Sequence, residues 1–247
     1  LLCPHKCRLF VYTICTELHM YDEALHRFED VDRGDAAVYD LIDYDITDAV
    51  IIMDDKLKCH PLSQRIIDRA RQKNIPSVII EGYYDNCINI NFDHATGMKA
   101  VIEHVIGEHG VTDVHFMNGA KDNPFAQSRL DIFKKLLVKY HIPYSDDMVS
   151  YGDFWVDPTV AAMEKLLQRE KLPRAIICAN DVMAITVCTM LQKAGYRIPE
   201  DVMVTGYDGI DEVYLSNPKI TTASCSYRKK AEKTLELLMH FFKTGEI

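Results

Sequence analysis

Residues Cys178–Gly209 read CANDVMAITVCTMLQKAGYRIPEDVMVTGYDG. The stretch parses as the end of an apolar strand, a polar pair, a helix, a turn with Gly195 and Pro199, a second strand, and an acid. Asn180-Asp181 follow the first strand and Asp208 follows the second. Two strands joined by a helix of this length run parallel. In a parallel sheet the C-terminal strand ends line the ligand crevice. The stretch therefore predicts an α/β fold in which two turns aim hydrogen-bonding side chains at one edge.

The same alternation runs through the chain. Short Val- and Ile-rich runs at Arg8–Ile14, Ala49–Met53, Ser77–Glu81, Asp113–Asn118, Ala175–Ala179 and Val202–Gly206 read as strands, several buried on both faces. Between them, apolar residues at spacings of three and four mark helices over Pro61–Lys73, Asp93–His109, Ala126–Tyr140 and Pro158–Gln168. Asp157-Pro158 reads as a helix start and Gly195 as a helix stop. Two βαβ sets result, one ending near His109-Gly110 and one running from Asp113 to about Thr222. The last helix, Tyr227–Lys243, shows Ala231, Leu235, Leu238, Met239 and Phe242 on one face and needs a surface to cover. The expected lobes are 1–110 with 223–247, and 111–222. Tyr21–Ala36 is polar and reads as a loop.

Composition narrows the function classes. The 247 residues are 48% hydrophobic with a net charge of −9. That charge argues against this chain itself gripping nucleic acid, which needs clustered Lys and Arg. Arg228-Lys229-Lys230 is the one basic cluster, and it reads as a solvated helix face. No apolar run approaches the roughly 20 residues of a membrane span, and Leu1-Leu2 begins no signal peptide. Eight cysteines, several inside apolar runs, fit a reducing cytoplasm better than a disulfide framework. Cys3-Pro4-His5-Lys6-Cys7 is half a zinc pattern without a second half, so no metal is expected. Phosphate-loop, GxSxG and GxGxxG motifs are missing, and no enzyme or cofactor is expected.

Three constellations can carry binding. Asn180 and Asp181 with Asp208 offer mixed donors and acceptors, although Asn180 can simply cap its helix and Asp208 can simply begin a turn. Asn123–Arg129 follows a strand and leads into a helix. Arg129 there can grip a ligand, or form a structural ion pair with Asp208 or Asp153. Tyr151–Trp155 holds Phe154 and the only Trp of the chain, rings suited to a pocket wall, with at least one of them also able to serve as core.

In this order and spacing, several segments resemble the effector-binding core of the lactose-repressor (LacI) family. They are Ile88–Gly97, Phe116–Gly119 with Ser128-Arg129 and Phe133, Ala179-Asn180-Asp181 with Ala184, Ile198–Asp208, and Pro218 with Thr221-Thr222. The resemblance implies two Rossmann-like lobes with parallel sheets around a cleft, joined by three crossings. It implies a small effector, a sugar or nucleobase, facing Asp93, Phe125, Arg129, Asn180, Asp181 and Asp208, with Phe154 or Trp155 as an aromatic wall. It implies a homodimer, with DNA reached through a helix-turn-helix that this chain lacks. The family's first strand and helix are missing before Leu1, and Gly209 stands where many members carry a second acid. The expected role is the sensing and dimerising domain of a cytoplasmic transcriptional regulator. The alternatives are a sensor domain of a GGDEF-type diguanylate cyclase and, third, an exported solute-binding protein.

Overall fold

In a computed structural model, residues 7–13, 34, 36–57 and 59–246 are described. The chain divides into two compact units: residues up to Phe92 together with Ser226 onward, and Asp93–Cys225.

The first unit holds a three-stranded parallel sheet, β1 (Val50–Met53), β2 (Ser77–Ile80) and β3 (Ile88–Ile90), in the order β1-β2-β3. A single helical turn, α1 (Asp54–Leu57), follows β1, and α2 (His60–Gln72) connects onward to β2. Leu62, Ile66, Ile67 and Ala70 of α2 pack on Val50, Ile52 and Ile79. Central β2 is buried along its whole length, whereas β1 alternates buried Val50 and Ile52 with exposed Ile51 and Met53. Among the described residues β1 is an edge strand, so one face suffices to hold it.

The last helix, α8 (Tyr227–Thr244), packs Leu238 against Val78 and Ile88 of this sheet. Its buried residues are Lys230, Thr234 and Leu238. The expected face was offset by one residue, toward Ala231 and Leu235. The difference comes from Lys230. Its ammonium donates to Glu81 Oε1 at 2.6 Å and lies 3.6 Å from the centre of the Phe92 ring. A buried cation needs such partners, and no hydrophobic periodicity shows them.

The second unit holds five parallel strands in the order β5-β4-β6-β7-β8. They are β4 (Val114–Asn118), β5 (Val149–Tyr151), β6 (Ala175–Cys178), β7 (Met203–Asp208) and β8 (Thr221–Ser224). Helices α3 (His94–Glu103, continued by a π turn over His104–Glu108), α4 (Pro124–Lys139), α5 (Val156–Leu166), α6 (Asp181–Lys193) and the short α7 (Glu212–Leu215) connect them. Strands β4 and β6 are buried at every residue. Phe116 of β4 stacks on Phe133 of α4 with ring centres 4.9 Å apart. Free Cys178 and Cys188 are part of this core, and burial pushes the Cys188 thiol up to about 12.

Three expectations shift. The helix beginning at Asp93 belongs to the second unit, because Met98, Val101, Ile102, Val105 and Ile106 pack into the same core as Phe116. The units therefore divide at Phe92–Asp93 and Cys225–Ser226, not near 110 and 222. Residues 8–13 form no strand; Leu9, Phe10 and Val11 are exposed, with no ladder partner to hold them extended. Helix α5 starts at Val156, one residue before Asp157. Pro158 falls in its first turn, where a missing N–H costs nothing. Ile14, residues 21–33 and most of the Cys3–Cys7 motif lie outside the described residues.

His115 sits mid-strand in β4 and is 1% exposed. Its Nε2 lies 2.9 Å from Ser150 Oγ, and Nδ1 has no partner. Burial, helped by the charge of Arg169, pushes its pKa down to about 4. The unfolded chain takes up this proton near pH 6.5 and the folded one does not until about 4. The His115 contribution is therefore intact above pH 6.5 and lost as pH falls through this window. Urea titrations should show unfolding free energy falling by about 3 kcal/mol from pH 7 to pH 4 on this account, with His115→Gln reducing the slope. An unchanged slope in that variant would contradict the assignment.

Candidate functional site

Parallel strands bring their C-terminal ends to one edge, and in the second unit that edge carries Asn118, Tyr151, Cys178, Asp208 and Ser224. The turns beyond them supply the side chains singled out in the sequence.

Arg129 is the hub. It lies in α4, is 7% exposed, and donates from Nη1 to the Ala179 carbonyl at the end of β6. Nη2 stands 3.6 Å from Asp208 Oδ1. The guanidinium carbon is 4.3 Å from the centre of the Tyr207 ring and 5.5 Å from that of Phe154. Its Nε is buried with no hydrogen-bond partner. Arg129 thus pairs with Asp208, as the ion-pair reading expects, and keeps a donor unused.

Asn180 caps α6, its Oδ1 accepting from the Met183 N–H at 2.9 Å. Its Nδ2 donates to the Phe154 carbonyl at 3.2 Å. The cap residue therefore also fixes the loop that carries the aromatic pair. Phe154 is half-buried with its ring over Gly119, where a Cβ would overlap it. Trp155 is 69% exposed. Phe125 is 41% exposed, and its ring meets that of His94 edge-on at 5.7 Å.

Asp181 is fully buried. Its Oδ2 accepts from the N–H groups of Gly209 and Ile210 at 2.6 and 2.9 Å. Burial pushes the carboxyl up, against hydrogen bonds from Thr222 and from backbone N–H groups that pull it down. It locks the turn after β7 and thereby sets the direction of Asp208. Gly206 is required beside it, because a Cβ there would overlap Asp181 Oδ1.

Asp93 is exposed at the head of α3. Its Oδ1 accepts from the Thr96 N–H at 2.9 Å and its Oδ2 from the Thr96 hydroxyl at 2.6 Å. These bonds hold its carboxyl below the usual range.

Sequence reasoning missed Tyr207, His94, Cys225 and Asn118. The Tyr207 hydroxyl lies 3.1 Å from His94 Nδ1 and accepts from the Cys225 thiol at 3.5 Å. Burial foremost raises its pKa. Asn118 is fully buried, and neither its Oδ1 nor its Nδ2 has a partner. A signal existed for Tyr207, a large ring at a strand end beside an acid; the others are identifiable only from the packing.

A family model described as a periplasmic binding protein-like domain matches residues 102–246, more than half of the chain. The chain belongs to the periplasmic binding protein-like domain family. The HTH-type transcriptional repressor PurR of Vibrio cholerae is 27% identical over 201 residues, 81% of this chain and 58% of that protein. The chain thus spans somewhat over half the length of the curated relatives it matches. Among solved structures, the Escherichia coli transcriptional repressor ascG has a TM-score of 0.69 at 23% identity, covering 88% of this chain and 77% of that one. The transcriptional regulator CelR, in complex with cellobiose, has a TM-score of 0.62 at 25% identity, covering 82% and 61%. Within the family's fold, the resemblance had implied ligand contacts for Asp181 and Asp93. Here Asp181 points into the protein because two backbone N–H groups claim it. Asp93, expected on the first lobe, heads the second unit with both carboxylate oxygens engaged by Thr96.

Replacing Asp181 by Ala leaves two turn N–H groups without their charged acceptor. Urea denaturation should show a loss of about 3 kcal/mol. A change under about 0.5 kcal/mol would match an ordinary surface position and would remove Asp181 from this role.

Proposed function

We propose that this chain is the small-molecule-sensing domain of a transcriptional regulator, and that the effector binds at the strand-end edge around Arg129. One observation carries the reading. The buried donors and acceptors left unused at that edge include Arg129 Nε, both polar atoms of Asn118 and Asp181 Oδ1, and Arg129 and Asn118 flank the same strand end, at Ala179. A buried polar group without a partner costs about 1–3 kcal/mol, and such groups mark places where a ligand or water completes the set. The backbone supports the same place. Asp153, Phe154 and Asp208 all have positive φ, at 49, 64 and 114°. Strain of this kind persists where the surroundings over-determine it, and it collects at ligand sites.

The ligand class follows from the groups. Arg129 and Asn118 donate, Asp208 and Asn118 accept, and Phe154, Trp155 and Phe125 offer ring faces and edges. That combination suits a flat or ring-shaped molecule dense in hydrogen-bonding groups, a sugar or a nucleobase. The CelR complex with cellobiose supports the sugar, and the PurR relatives support a regulator. The reading is non-enzymatic.

DNA is contacted, on this reading, by a helix-turn-helix outside this chain, since net charge −9 disfavours direct contact. The regulator acts in the cytoplasm. Free cysteines among the described residues agree with that. The active unit is a homodimer. Tyr214 and Leu215 on α7, 59% and 86% exposed, are apolar surface that a second copy would cover.

Calorimetric titration with monosaccharides, disaccharides and purine bases should find one class that binds one molecule per chain. Arg129→Ala should weaken that ligand at least tenfold, and Arg129→Lys should not rescue it, because an ammonium lacks the planar fork. Silence from every compound, or equal binding by Arg129→Ala, would overturn the proposal. Light scattering should give a dimer that Leu215→Glu weakens; an unaffected or monomeric wild type would refute that interface.

A further inference from the structure

The π turn at the end of α3 brings together side chains that an α-helix would keep apart. Residues five apart on an α-helix point about 140° from one another. Over His104–Glu108 the backbone widens, and the His109 N–H bonds back to the His104 carbonyl at 3.2 Å. Such turns are uncommon and are frequently found at functional sites. Here the result is that the imidazoles of His104 and His109 meet, ring centres 4.6 Å apart, with their Nε2 atoms 3.2 Å from each other.

The chemistry of the pair is directional. His104 Nδ1 lies 2.7 Å from Glu108 Oε2. An ionised carboxylate only accepts, so Nδ1 carries the hydrogen and Nε2 presents its lone pair. That is the tautomer a metal takes, with the carboxylate behind the ring fixing its orientation. Two nitrogens bound at about 2.0–2.1 Å to one tetrahedral ion lie about 3.3–3.4 Å apart. In the structure the His109 Nε2–H donates to that lone pair across 3.2 Å; an ion would take the place of this hydrogen, with His109 carrying its own on Nδ1, at a separation close to that bite. His109 is exposed and His104 about one third exposed, so an ion can reach them. The turn is held by packing from below: a Cβ on Gly107 would come 2.5 Å from the Tyr140 hydroxyl.

We propose that His104 and His109 form a binding site for a divalent d-block cation, Zn²⁺ foremost, with Glu108 orienting His104. Imidazole favours zinc, copper and nickel over magnesium and calcium. Among the described residues no group of three or more His, Cys, Asp and Glu side chains could hold a metal ion. The described residues therefore supply two ligands, and water would fill the remaining positions. A bound ion would clamp the C-terminal end of α3, whose N-terminal end carries Asp93 and His94. This site is independent of the effector reading.

The test is calorimetry of untagged protein with Zn²⁺, and electron paramagnetic resonance after loading with Cu²⁺. One ion per chain is expected, with a two-imidazole nitrogen hyperfine pattern. His104→Ala and His109→Ala should each weaken Zn²⁺ at least tenfold and abolish that pattern. Glu108→Gln should weaken it about tenfold, and His240→Ala, an exposed histidine of α8, should change nothing. Circular dichroism of the variants should match wild type, since His109 is a surface residue. Absence of binding in wild type, binding unchanged in both histidine variants, or a copper spectrum without imidazole nitrogen would overturn the proposal.

Discussion

The organisation of the second unit depends on one buried cation. Arg129 has little water around it, and its charge must be met by protein. The Ala179 carbonyl, the Asp208 carboxylate and the faces of Tyr207 and Phe154 do so. They come from three places on the same sheet edge: the end of β6, the end of β7, which carries both Tyr207 and Asp208, and the loop after β5. A buried guanidinium is tolerated only with such a set, so these three segments are held in register by the residue they surround. Asp181 contributes from underneath by fixing the turn that aims Asp208. Asn180 contributes by holding the carbonyl of Phe154. The polar residues of this edge are thus mostly committed to one another, and the few unused atoms among them stand out.

That distinction separates framework from recognition. Asn180 caps α6, as its alternative reading expects, and Asp181 anchors the turn after β7. Arg129 Nε and the amide of Asn118 keep unused hydrogen-bonding capacity, and Asp208 is partly exposed. The aromatic residues divide in the same way, with Phe154 tied into the cluster and Trp155 open to solvent. A site built like this is rigid before ligand arrives, which limits the ordering cost of binding.

The sheet was legible because buried parallel strands are written as consecutive apolar residues, as in β2, β4 and β6, and because Gly195 and the helix periods mark the joints. The unit boundary was not, since the helix after Asp93 is amphipathic in a way that would suit either core. Buried polar residues were the other blind spot. Lys230 finds Glu81 at a sequence separation of 149 residues, and Tyr207 finds His94 at 113. Spacing within a segment carries no trace of such partners. Residues 8–13 show the converse: an apolar run has strand character, but a strand exists only where another strand pairs with it. The pairing of His104 with His109 depends on a widened turn, and helical periodicity at 3.6 residues cannot anticipate that.

The most direct test of the account is the nuclear magnetic resonance signal of the Arg129 side-chain Nε–H, assigned by its loss in Arg129→Lys. This is a buried donor that the structure leaves without an acceptor. Addition of a sugar or nucleobase that binds the chain should shift that signal strongly and slow its exchange with water. A ligand that demonstrably binds while the Arg129 Nε–H signal stays where it was would place the effector elsewhere and contradict the central claim.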